Sequence, residues 1–197
     1  MQLFGETVEM LWELDAEEKY HGHGYGIGEN HIFVGEFLHG ALWGDLLMFD
    51  RVTGRKMLKV EMEDNMAHGS YEYYHRGKVV EVGVYRNGSK YFMSRLRNGK
   101  VFEYGFSRDD RLHGYGVTEK KGRTYTSADW KDGVIDGLGV IQDQEGEVIF
   151  YGRFKCGECV EETDEKPTCF NMIKLWKEAL QKKYYKVPYE CAMLCLC

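Results

Sequence analysis

Proline is almost missing from this chain, and cysteine is missing from most of it. There are two prolines, Pro167 and Pro188, and no cysteine precedes Cys156. So little proline excludes a proline-rich disordered chain. A secreted disulfide scaffold would spread its cysteines through the fold, so a reduced, cytoplasmic protein is expected. No run of about 18 apolar residues occurs, so no membrane-spanning helix is expected. The opening Met1-Gln2-Leu3-Phe4-Gly5-Glu6 has neither a basic start nor an apolar stretch, so no secretory leader is expected. Basic residues are outnumbered, 26 against 32 acidic, for a net charge of −6. That excludes broad nucleic-acid binding, which needs clustered Lys and Arg.

Glycine and aromatics are plentiful. The 24 Gly call for many tight turns, and the 14 Tyr within 14% aromatics suit strands. The glycines recur in a pattern. Leu112-His113-Gly114-Tyr115-Gly116-Val117 returns 23 residues later as Ile135-Asp136-Gly137-Leu138-Gly139-Val140. A fixed period of this length marks an array in which each unit rests on the next. Each unit opens with a Gly turn: His21-Gly22, His39-Gly40, His68-Gly69, Asn87-Gly88, His113-Gly114 and Asp136-Gly137. Its second strand carries a Gly between large side chains, as in Phe33-Val34-Gly35-Glu36-Phe37, Glu81-Val82-Gly83-Val84-Tyr85 and Phe150-Tyr151-Gly152-Arg153-Phe154. Residues i, i+2 and i+4 of a strand share a face, so Phe33 and Phe37 flank a bare patch that a neighbouring unit can fill. Tyr125–Trp130 carries one extra residue, which implies a bulge.

The pattern His-Gly-x-Gly, a turn with Gly, then Tyr-x-Gly-x-Trp or Phe resembles MORN (membrane occupation and recognition nexus) repeats. The matching stretches are His113-Gly114-Tyr115-Gly116 through Trp130-Lys131-Asp132-Gly133, Asp136-Gly137-Leu138-Gly139 through Gly152-Arg153-Phe154, and Gly24-Tyr25-Gly26 through Phe37. The resemblance covers about 70% of the chain, residues 20–157, as about six units, with 40–62 and 67–104 degenerate. It implies a mostly β fold in which consecutive β-hairpins form one elongated, twisted antiparallel sheet. It also implies scaffolding, membrane-associated assembly or partner binding. The groove expected to take a peptide or helix would be lined by Tyr25, Phe33, Phe37, Tyr85, Tyr115, Tyr125, Trp130, Phe150 and Phe154. Exposed sheet edges make a homodimer compatible with the pattern.

The ends differ from the repeats. Residues 1–19 are acidic with embedded apolar side chains and read as a cap, strand or helix. Residues 158–167 are acidic, end in Pro167 and read as a linker. From the N-cap Thr168, Phe170, Ile173, Trp176, Leu180 and Tyr184 form a helical stripe roughly 120° wide, so a C-terminal amphipathic α-helix is expected. Residues 168–197 hold five Lys and two Glu and close on a cysteine-bearing tail.

Residues that resemble chemistry have simpler readings. Four His precede Gly at one repeat position, which points to a turn role and not to catalysis. His21 and His23 lie two apart with no further ligand placed by spacing, so no metal site is expected. Gly22-His23-Gly24-Tyr25-Gly26-Ile27-Gly28 fits neither phosphate-binding fingerprint, and no Gly-x-Ser-x-Gly occurs, so neither a cofactor nor catalytic residues are expected. Cys156-Gly157-Glu158-Cys159 has metal-ligand spacing but no second pair, and reads as ordinary thiols.

Two functional readings follow. The first is a non-enzymatic scaffold that binds a protein partner. The alternative is a peripheral membrane protein held by lipid on Cys191, Cys195 or Cys197 and by the nearby Lys. The anchor reading predicts that residues 168–197 carry a fluorescent reporter to membranes, and that Cys195→Ser with Cys197→Ser releases it. A diffuse signal indifferent to the substitutions rejects the anchor.

Overall fold

The computed structural model describes residues 1–165. The expected helix from Thr168 and Cys169, Cys191, Cys195 and Cys197 lie outside the described residues. The described chain is mostly β, built of consecutive antiparallel hairpins, and divides into two compact units at Ser89/Lys90.

In the first unit, β1 (Gln2–Leu3) and β2 (Glu6–Thr7) form a small pair of their own. Then come β3 (Glu9–Leu14), β4 (Tyr20–Ile27), β5 (His31–Leu38), β6 (Ala41–Asp50), β7 (Lys56–Glu63), β8 (Met66–His75) and β9 (Lys78–Arg86). Each of these pairs with the next. The acidic residues 1–19, open to either reading in sequence, are therefore strands and turns.

The second unit takes up β10 (Ser89–Arg97), β11 (Lys100–Arg108), β12 (Arg111–Lys120), β13 (Arg123–Lys131), β14 (Val134–Ile135), β15 (Gly137–Gln142), β16 (Val148–Lys155) and β17 (Glu158–Thr163). Pairing again follows chain order, with β13 meeting both β14 and β15. The linker expectation is corrected here. Glu158–Thr163 is a strand, because Cys156 and Gly157 turn the chain back on β16. Its glutamates Glu158, Glu161 and Glu162 are exposed, which discourages further strand addition at that side.

Two kinds of left-handed backbone alternate along the repeats. His39-Gly40, Asp64-Asn65, Asn87-Gly88, Asp132-Gly133 and Cys156-Gly157 have positive φ at both residues, the geometry of the I′ hairpin turn. The glycines at 22, 44, 69 and 114 instead sit inside strands. Between Gly105 and Ser107, β11 advances two residues while its partner advances four, from Gly116 to Leu112, and Gly114 at φ +85° takes up the difference. The same jump occurs opposite Leu11–Glu13, Val34–Glu36 and Val60–Met62. His21-Gly22, His68-Gly69, His113-Gly114 and Asp136-Gly137, expected as turns, are therefore strand interruptions. Turn and bulge both need positive φ, so glycine alone did not separate them. The extra residue expected in β13 is present: Ser127 and Trp130 span a two-residue step from Gly116 to Gly114.

Turn and bulge are joined. The amides of Gly40, Gly88, Gly133 and Gly157 donate to the carbonyls of Tyr20, Ala67, Leu112 and Ile135 at 2.8–2.9 Å. Asn65 donates to the Leu42 carbonyl at 3.2 Å, and the Leu42 amide donates to the Asn65 side chain at 2.9 Å. Every acceptor stands two residues before a left-handed glycine.

Each core has the same motif. Gly24 faces Gly35, Gly105 faces Gly116, and Gly139 faces Gly152 across paired strands. The space they leave is filled: a Cβ on Gly24 would lie 2.5 Å from the Trp12 ring and 2.6 Å from the Leu11 carbonyl. One on Gly35 would lie 2.8 Å from Leu46. Trp12 meets Phe37 edge-on at 5.0 Å. In the second unit Leu112, Trp130, Ile135 and Phe154 are buried together, and the Trp130 indole donates to the Gly116 carbonyl at 2.8 Å. The first unit also buries Tyr71, whose hydroxyl donates to Glu81 at 2.8 Å. Gly24→Ala is expected to lower stability by about 3 kcal/mol through overpacking. Gly54→Ala, at an open left-handed position, is expected to cost about 1 kcal/mol. Urea unfolding midpoints compare the two.

Candidate functional site

The second unit holds a groove of about 950 Å³. Its floor comes from three adjacent strands, where Tyr104 faces Val117 and Val117 faces Thr126, all buried. Its walls are the hairpin ends that join β10 to β11, β12 to β13, and β15 to β16. The repeat puts these ends side by side but gives them different charge. Arg97 and Lys100 flank the first, Lys121 and Arg123 the second, and Asp143, Glu145 and Glu147 the third. One side is thus mostly basic and the other acidic, with Glu119 of β12 lying on the basic side beside Lys121 and Arg123.

The walls are braced. The Arg97 guanidinium lies 4.6 Å from the centre of the Phe102 ring, a cation–π contact. In the acidic end the Glu147 amide donates to the Asp143 carboxylate at 2.8 Å, and the Gln142 side chain donates to the Gly146 carbonyl at 2.7 Å. Gly122 packs against the Gln144 side chain, which joins the basic and acidic ends. Burial first, and then the Glu119 carboxylate, push the Tyr104 phenol above its usual range, so it stays a neutral hydroxyl on the floor.

The nine expected groove rings are placed differently. Phe33 and Phe37 are 0% exposed, and Tyr85, Trp130 and Phe154 are buried as well. A buried ring offers no surface to a partner, so for these five the groove expectation is corrected: they are core. Tyr125 and Phe150 are partly buried and pack on the second core, and Tyr115 is half-buried beside Phe106. Tyr25 is 46% exposed, in a cross-strand row with Leu11 and Val34. None of the nine lines the groove. Alternation is the reason: Tyr125 turns to the core, and its neighbour Thr126 turns to the groove. The residues missed are the polar and charged hairpin ends. Their signal was the repeat itself, since Lys100 and Arg123 are 23 residues apart.

The residues before Gly69, Gly114 and Gly137 reach the next turn. His68 Nδ1 accepts the Asn87 amide at 3.5 Å, Asp136 accepts the Cys156 amide at 3.4 Å, and His113 faces Asp132 at 3.6 Å. The expected turn role of these His has this form. Cys156 and Cys159 are exposed free thiols, the first in a turn and the second in β17.

No family model matches the chain, and no curated protein matches it.

Asp132 shows how the turns respond to acid. A hydrogen bond from Arg108, with its charge and that of His113, holds the Asp132 carboxyl below the usual range. A depressed folded-state value means a contribution present above the ordinary carboxylate range and lost as pH falls through the folded value. The urea midpoint is therefore expected to fall as pH drops from about 5 to about 2, and less steeply in Asp132→Asn.

Proposed function

We propose that this chain is a non-enzymatic, MORN-like repeat scaffold in the cytoplasm that binds a segment of a protein partner in the groove of its second unit. The observation that carries the reading is the groove's division into a basic and an acidic wall over a buried floor. A bilayer presents one sign of charge to a surface. A peptide can present both, in an order that fits only one direction along the groove. The floor residues Tyr104, Val117 and Thr126 are almost fully buried, so the charged hairpin ends supply most of the contacts.

The membrane alternative draws on the sequence of residues 168–197, where the Lys excess and Cys191, Cys195 and Cys197 lie. The two readings are compatible, since one concerns the repeats and the other the tail.

The test uses the full chain with a photo-crosslinking side chain at position 121, and a control at the exposed Val52. The partner crosslinks from 121 and not from 52. Lys121→Glu with Arg123→Glu weakens its binding by about tenfold and leaves the fold intact by circular dichroism. A partner held equally by the double variant overturns the groove reading. Flotation of the repeats on anionic liposomes favours lipid instead.

A further inference from the structure

At the first repeat, the pairing of bulge residue and turn residue takes a different chemistry. In later repeats the bulge side chain meets a backbone amide, as His68 meets Asn87 and Asp136 meets Cys156, or a carboxylate, as His113 faces Asp132. Here the bulge residue is His21 and the turn residue is His39, and their rings stand 5.2 Å apart at 44°. Asp15 joins them from the turn between β3 and β4, with Oδ2 3.2 Å from His39 Nδ1. One donor atom from each of Asp15, His21 and His39 lies within 4.8 Å of the other two.

We propose that Asp15, His21 and His39 form a binding site for a divalent transition metal ion of the zinc class. Two imidazoles and a carboxylate are a common zinc donor set, with the fourth position open to water. Donors around a tetrahedral zinc are about 3.4 Å apart, so the site closes by a small movement of the exposed His39 side chain.

Three further features favour a ligand over a plain turn contact. Like His113 Nδ1, His21 Nδ1 is buried and has no hydrogen-bond partner, but of the two only His21 has a second imidazole and a carboxylate close by. The unpaired nitrogen is a cost for a structural His and an available lone pair for a metal ligand. The Asp15 carboxylate is already oriented: Oδ1 accepts the amides of Glu17 at 2.9 Å and Lys19 at 3.0 Å, which leaves Oδ2 toward His39. Such outer contacts are what align a carboxylate ligand. Finally, the Gly40 amide is bonded to the Tyr20 carbonyl at 2.8 Å, so the backbone on either side of the two His is held in register. His23, the nearest His in sequence to His21, is not in the cluster.

The test is titration of the full chain with Co²⁺ and then Zn²⁺ at neutral pH. All six cysteines are first blocked with iodoacetamide, so that thiolate binding is removed. One equivalent of Co²⁺ is expected to bind, with visible absorption typical of nitrogen and oxygen ligands, and Zn²⁺ displaces it. His39→Ala and Asp15→Asn each weaken binding by at least about tenfold. His113→Ala, at the same repeat position without a second His, leaves it unchanged. His39 is on an exposed turn, so its variant folds, which circular dichroism checks. No saturable binding in the blocked chain, equal binding by His39→Ala, or an equal loss in His113→Ala overturns the proposal.

Discussion

At five turns, a backbone hydrogen bond from the second residue of an I′ turn to the residue two places ahead of a left-handed glycine ties the hairpin to the strand before it. The acceptors Leu42, Ala67, Leu112 and Ile135 are buried apolar residues, so these bonds are shielded from water. Each is worth about 0.5–1.5 kcal/mol, and its loss would leave a buried carbonyl unpaired at greater cost. A single hairpin is marginal in water. The repeat therefore conserves a junction more than a surface: turn, bulge and bond stay together while the residues around them change.

The glycine pairs follow from the same need for closeness. Where Gly24 faces Gly35 and Gly139 faces Gly152, the backbone offers a gap that Trp12, Leu46, Ile135 or Phe154 occupies. Aromatic side chains are therefore drawn inward, and the motif's conspicuous rings become packing. What is left for recognition is the other face and the hairpin ends, which the core does not constrain.

That separation explains how one scaffold carries two unrelated candidate sites. The charge division of the second unit's groove arises because two of its three hairpin ends are basic and the third is acidic. The His–His–Asp cluster of the first unit arises because one equivalent bulge–turn pair has histidine at both places. Neither alters the junction. Stretches that look degenerate in sequence share this economy: β7 lacks the strand glycine, yet Leu58 and Val60 are buried within it and it pairs on both sides.

Much of this was legible from the amino-acid order. The 23-residue echo of Leu112–Val117 in Ile135–Val140 marked an array of like units, the resemblance to MORN repeats implied consecutive antiparallel hairpins, and Phe33-Val34-Gly35-Glu36-Phe37 foretold a gap filled by a neighbour. Those features are local: they depend on φ and on strand alternation, which neighbouring residues set. Tertiary structure alone decided the rest. It separated turn glycines from bulge glycines, since both need the same left-handed backbone and only the strand opposite distinguishes them. It sent Phe37, Trp130 and Phe154 to the core, because the face of a strand that becomes the interior is a property of the packed sheet. And it brought His39 beside His21 and Asp15, residues separated by a hairpin in sequence and joined by the bond from Gly40 to Tyr20.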